Sequence, residues 1–240
     1  MSPKLRLIYK PVASCHYPSV MGWKTLALVL LLTSRVIFAQ GTHPVTGREI
    51  APVMGMGGAP WLVRPERERE EAPDRALDAI GIKKGETVAD IGAGVGYFTW
   101  RIAERVGSIG KVYASDIQPP MLEQLKKNVA DRGLTNVVTV LGTEDDPKLP
   151  AGALDLALLV DVYHEFSQPR AMLARIRQSL KPTGRMVLLE YRKEDPTVPI
   201  RLEHKMTVQE VRQEIEPEGF RFENSLEGLP RQHILIFRPR

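Results

Sequence analysis

The chain has 240 residues, of which 43% are apolar and 26% charged; that is the composition of a folded domain with length for a sizeable core, and it excludes a disordered or low-complexity chain. Its formal charge of +4 is no sign of a nucleic-acid-binding surface, because residues 1–40 hold Lys4, Arg6, Lys10, Lys24 and Arg35 and no acid, leaving 28 basic against 29 acidic residues beyond them. The single cysteine, Cys15, excludes an internal disulfide, and no HExxH or similar spacing joins the histidines, so no metal is expected.

Residues 1–40 read as a signal-like leader. Lys24 precedes the apolar run Leu26 to Leu32, and small or apolar residues follow up to Ala39, the pattern of a secretory signal cut near Ala39. The run is shorter than the roughly 20 apolar residues that cross a bilayer. Arg35 and Ile37 depart from the pattern, which leaves an uncleaved anchor as the alternative, and Met21 is a second candidate start. The expected location is periplasmic or secreted, or else cytoplasmic or membrane-anchored if the leader does not act; membrane association is expected only through the leader.

Residues 41–68 are rich in Gly and Pro and carry Met54, Met56 and Trp61 between polar residues. They read either as a linker or as an irregular segment with a lid from Met54 to Arg67 over a pocket. Ala76, Leu77 and Ile80 then share one helical face behind a run of acids, and Gly81 ends that helix. From here to residue 240 the signals alternate. Strands are expected at 87–91, 111–115, 136–141, 154–160 and 186–190, with helices at 97–106, 119–131 and 169–180 between them. "KPTG" reads as a turn before the fifth strand, 207–216 as a helix, and 221–225 with 233–237 as a closing strand pair. Such alternation is that of a parallel α/β sheet covered by helices, and it sets 69–240 apart as one domain.

The stretch "VADIGAGVGYFT" puts Gly92, Gly94 and Gly96 between the first strand and the first helix. In such sheets ligands bind at the carboxyl ends of the strands, and bare backbone lets a ligand approach. The spacing is G-x-G-x-G rather than the G-x-G-x-x-G of dinucleotide sites, and Asp90 stands two residues before the first glycine. A carboxylate there suits an ammonium or sulfonium group better than a pyrophosphate. Asp116, 20 residues beyond Gly96 at the end of the second strand, is placed to accept hydrogen bonds from a ribose.

"VADIGAGVGYFT", "VYASDIQPPML" and "LKPTGRMVLLE" together resemble the motifs of class I S-adenosylmethionine-dependent methyltransferases, over residues 70–240, with the small-molecule branch of ubiquinone and sterol methyltransferases the nearest likeness. The resemblance implies a Rossmann-like three-layer sandwich with a seven-stranded, mostly parallel sheet and a C-terminal antiparallel hairpin. It implies S-adenosyl-L-methionine as cofactor, with Asp90 and the loop Gly92, Ala93, Gly94 and Gly96 at its methionine part and Asp116 and Ile117 at its ribose and adenine. Where relatives carry an acid near the adenine this chain has Thr143; Glu144 or Asp145 takes that place, or the turn is simply exposed. Asp161 joins the expected cofactor contacts.

Chemistry on a small-molecule methyl acceptor is expected after the fourth strand, in "VDVYHEF". His164, Tyr163 and Glu165 are the catalytic candidates, because only His164 titrates near neutrality unperturbed; otherwise His164 is a packing residue beside the methionine tail. Glu190, Tyr191, Arg192, His204 and Lys205 either form an acceptor pocket or belong to a solvated loop. No nucleic-acid partner is expected, since no basic stripe exists. A non-catalytic protein that binds the same adenosyl ligand is the alternative to an enzyme.

Overall fold

Beyond residue 40 the expected alternation of strands and helices is realised in the computed structural model, which describes residues 41–240; the leader, its cut near Ala39 and the start at Met21 lie outside the described residues. The strands β1 (Thr87–Ile91), β2 (Lys111–Asp116), β3 (Val137–Leu141), β4 (Leu154–Val160) and β5 (Leu180–Arg192) pair in parallel in the order β3-β2-β1-β4-β5. A two-residue strand, β6 (Lys205–Met206), adds to β5. The closing strands β7 (Phe220–Leu226) and β8 (Gln232–Pro239) are antiparallel, with β8 inserted between β5 and β7. The seven-stranded path is thus present, with β6 as a short addition.

The helices are α1 (Ala59–Leu62), α2 (Arg67–Glu71), α3 (Pro73–Ile80), α4 (Thr99–Val106), α5 (Pro119–Ala130), α6 (Pro169–Ser179) and α7 (Val208–Ile215). Strand side chains alternate between two faces, and the central strands are apolar on both. Val88, Leu158 and Val187 pack with Leu77 of α3 and Ile102 of α4. Ala89, Leu159 and Leu188 pack with Ile176 of α6 and Ile215 of α7. This two-sided burial is what parallel strands require, and it makes the three layers. Among the described residues no helix is long and apolar enough to cross a membrane.

Three of the differences from expectation have a clear physical cause. The helix after the glycine loop begins at Thr99 rather than at 97, because residues 92–98 are spent on a turn in which Gly92 and Gly96 hold φ of 71° and 86°. "KPTG" lies inside β5: pairing jumps from Leu154–Leu180 to Leu156–Arg185, and Lys181 Nζ closes the bulge on Asp155 Oδ1 at 2.8 Å. Residues 41–68 are not irregular throughout. Thr42 bridges Glu49, a helical turn spans Met56–Gly58, and α1 follows directly.

Candidate active site

The strand order reverses between β1 and β4, and their carboxyl ends open a crevice there. Gly92 turns the chain out of β1; a Cβ on it would stand 2.4 Å from Val162 Cγ2, so glycine is required by both conformation and space. The Gly92 and Ala93 amides donate to the Ser115 carbonyl at 2.8 and 3.1 Å. Asp116 holds the loop from the other side: Oδ2 accepts the Gly94 amide and Oδ1 the Gln118 amide, both at 2.8 Å. Burial raises the Asp116 pKa, while the Gln118, Gly94 and Ile117 amides favour its charged form.

A cavity of about 430 Å³ occupies the crevice. Of the expected residues, Gly92, Gly94, Asp116, Ile117, Glu144, Asp161, His164 and Glu165 line it. Asp90, Ala93, Gly96, Asp145 and Tyr163 do not. Asp90 is buried behind the loop, where Oδ2 accepts the Thr99 hydroxyl at 2.6 Å; burial pushes its pKa up to about 6, with the Thr99 bond opposing. Ala93 packs with Leu125 and Val129 of α5, and Gly96 passes under α5, where a Cβ would meet Leu125 Cγ at 2.8 Å. Asp145 is exposed and accepts the Thr143 hydroxyl at 2.6 Å, whereas Glu144 lines the cavity and accepts Ser167 Oγ at 2.8 Å. Tyr163 points into the core against Phe166, with the ring centroids 5.5 Å apart, so its ring serves packing.

Asp161, one residue past β4, holds a left-handed φ of 50°, a strained conformation for a side-chain-bearing residue. Oδ2 accepts Gln232 Nε2 at 2.7 Å and lies 3.9 Å from Arg67 Nη2, while Oδ1 is buried without a partner. Burial, then the charges of Glu71 and Glu190, push the Asp161 carboxyl well above its usual range, with Arg67 opposing. Arg67 was not singled out by sequence. It is 4% exposed and ion-paired to Glu71 at 2.6 Å on its own helix, an i,i+4 pair that the Arg-x-x-x-Glu spacing displays.

On the far side of the cavity, the turn Tyr163–Glu165 presents His164. Its Nδ1 lies 2.6 Å from Glu190 Oε2, and its Nε2 lies 3.1 Å from His204 Nδ1. Burial lowers the His164 pKa, but the charge and hydrogen bond of Glu190 prevail and raise it; burial and then His164 lower that of His204. Burial pushes Glu165 up to about 7 against the pull of His164. Tyr191, Arg192 and Lys205 turn elsewhere: the Tyr191 hydroxyl donates to Glu71, Arg192 pairs with Glu227, and Lys205 Nζ donates to the Asp195 and Val198 carbonyls.

Residues 88–184, which run from β1 through the glycine loop, Asp116 and the His164 turn into the "KPTG" bulge, match the methyltransferase domain family. These residues form a methyltransferase domain of the S-adenosylmethionine-dependent kind. The chain is similar to the nocamycin O-methyltransferase of Saccharothrix syringae, 36% identical over 48% of this chain and 41% of that one. It is also similar to the ubiquinone/menaquinone biosynthesis C-methyltransferase UbiE of Francisella philomiragia, 31% identical over 52% of this chain and 50% of that one. The similarity therefore spans about half the length of these relatives. The crystal structure of a SAM-dependent methyltransferase from Aquifex aeolicus superposes with a TM-score of 0.74 at 26% identity, covering 78% of this chain and all of that one.

S-adenosylmethionine is the cofactor of this methyltransferase domain, and the crevice fits it. The side chains that line the cavity include four acids, Asp116, Glu144, Asp161 and Glu165, against two arginines, Arg67 and Arg201, a balance suited to a ligand carrying an ammonium and a sulfonium. The orphaned Oδ1 of Asp161 is an acceptor that an ammonium would satisfy.

Proposed function

We propose that the protein transfers a methyl group from S-adenosylmethionine to a small organic acceptor. One observation carries this reading: a single cavity joins the glycine loop and Asp116 at one end to the buried polar cluster of His164, Glu165 and His204 at the other. The cofactor, when bound, supplies a methyl group on a sulfonium, whose in-line displacement needs alignment above all; such positioning is worth roughly 7–11 kcal/mol. Asp116 and Ile117 hold the adenosine, Glu144 borders the adenine, and Gly92, Gly94 and Asp161 receive the methionine part. Asp90 acts from behind, by fixing Thr99 at the start of α4.

Met54, Trp61 and Leu62 line the same cavity, and Gln118 Nε2 donates to the Met54 carbonyl at 2.9 Å. The segment from Met54 to Arg67 serves as the lid that excludes water around the reacting groups. A hydroxyl, thiol or amine acceptor releases its proton toward the His164–Glu165 side of the cavity. The names of the two relatives speak of O- and C-methylation, and the small-molecule class is what they have in common.

The test is formation of S-adenosylhomocysteine from S-adenosylmethionine on a panel of phenols, quinols, thiols and amines. Turnover on at least one class is expected. Binding of both adenosyl compounds with no turnover on any acceptor would contradict the reading. For the leader we propose export, which places the mature N-terminus near residue 40.

A further inference from the structure

His164 and His204 are 40 residues apart in the chain, yet their rings face each other edge-on at the cavity wall, with His164 Nε2 3.1 Å from His204 Nδ1. Behind His164, fully buried Glu190 takes Nδ1 at 2.6 Å. A carboxylate there fixes the tautomer with the proton on Nδ1, so Nε2 presents its lone pair to the cavity. The Glu165 carboxylate completes the group: one ligand atom from each of His164, Glu165 and His204 lies within 4.8 Å of the others. All three residues line the cavity.

Bonds of about 2.1 Å from a metal ion to nitrogen place neighbouring ligands roughly 3.0–3.4 Å apart, which is the separation of the two imidazole nitrogens. A carboxylate, two imidazoles and a second carboxylate behind one of them also balance a dication. We propose that His164 Nε2, His204 Nδ1 and Glu165 hold a divalent first-row transition ion, whose open positions face the cavity and take oxygen atoms of the acceptor. Two histidines and one carboxylate are a ligand set of this kind, and three protein ligands leave room for exogenous oxygen donors. The ion site stands on the side-chain geometry alone; the assignment of its open positions to the acceptor rests on the methyl-transfer reading. It narrows the acceptor to molecules with a hydroxyl, alone or beside a second oxygen.

The experiment is a titration of the chelator-stripped, full-length protein with Co²⁺, followed by its visible absorption. One ion per chain with a ligand-field band is expected. His204→Ala should abolish the band, and Glu190→Gln, which leaves the ligands in place, should weaken Co²⁺ binding roughly 10–100-fold. Absence of the band, or a band that persists unchanged in His204→Ala, would overturn the site. Catechol added to the Co²⁺-loaded protein should shift the band, and an unshifted band would overturn the acceptor assignment. Calorimetry with S-adenosylhomocysteine on the same samples keeps the two readings apart and reports folding of each variant. Adenosyl binding without a Co²⁺ site removes the ion and leaves methyl transfer standing; a Co²⁺ site without adenosyl binding does the reverse.

Discussion

Asp90 shows how a motif residue can act from behind the glycine loop rather than from the cavity wall. Its carboxylate, 2% exposed, is committed to Thr99, and burial raises its pKa from 3.8 to about 6. The folded chain therefore binds a proton at Asp90 that the unfolded chain has released, across the window from about pH 4 to 6. Stability from this group is fully present below that window and is lost as pH rises through it. At roughly 1.4 kcal/mol for each pH unit, the ionised form costs up to about 3 kcal/mol. Asp90→Asn keeps an acceptor for Thr99 and cannot ionise, so its melting temperature should fall less between pH 4 and 7 than that of the wild type. Parallel melting curves for the two proteins across that range would contradict this account. The same scale shows where sequence reading stops. Gly92, Gly94 and Asp116 were legible because their spacing is local. The meeting of His164 with Glu190 and His204 was legible only as one of two alternatives, since it depends on where the loop after β5 returns.

At the scale of elements, the Gly- and Pro-rich segment that reads in sequence as either a linker or a lid is held down at its start. Arg48 Nε donates to Glu214 Oε1 at 2.9 Å, Arg48 Nη1 to the His164 carbonyl at 3.0 Å, and the Ala51 amide to that same carbonyl at 3.1 Å. Thr46 and His43 also reach Glu214, which is fully buried on α7. Nothing local announces such a pairing, because the partners stand 166 residues apart. Arg48→Ala would leave Glu214 buried without its cation, and breaking one side of such a pair costs about 3–5 kcal/mol. The denaturant midpoint should drop accordingly, and the turn that carries His164 should loosen with it, raising KM for the acceptor more than for the cofactor. A midpoint unchanged within error would show that the segment is not fastened as described. The helices and strands themselves were largely legible, since two-sided apolar strands and amphipathic helices are written in short periods. The shifted start of α4 and the bulge in β5 were not, because both are set by tertiary pairing.

For the whole molecule, the order β3-β2-β1-β4-β5-β8-β7 puts the reversal point, the glycine loop and the His164 turn at one end of the sheet. Alternating strands and helices foretold the parallel half, and the family likeness foretold the antiparallel insertion. The proposed export is a prediction at this scale too: mass spectrometry of the chain recovered from its native cell should find an N-terminus near residue 40, and a chain beginning at Met1 or Met21 would contradict it. The account as a whole turns on the adenosyl donor occupying the crevice against Asp116. Calorimetric titration with S-adenosylhomocysteine tests this most directly. One molecule should bind per chain, and Asp116→Ala, which removes a charged acceptor, should weaken binding roughly 10–100-fold. No heat of binding, or binding of a nicotinamide dinucleotide in its place, would contradict it.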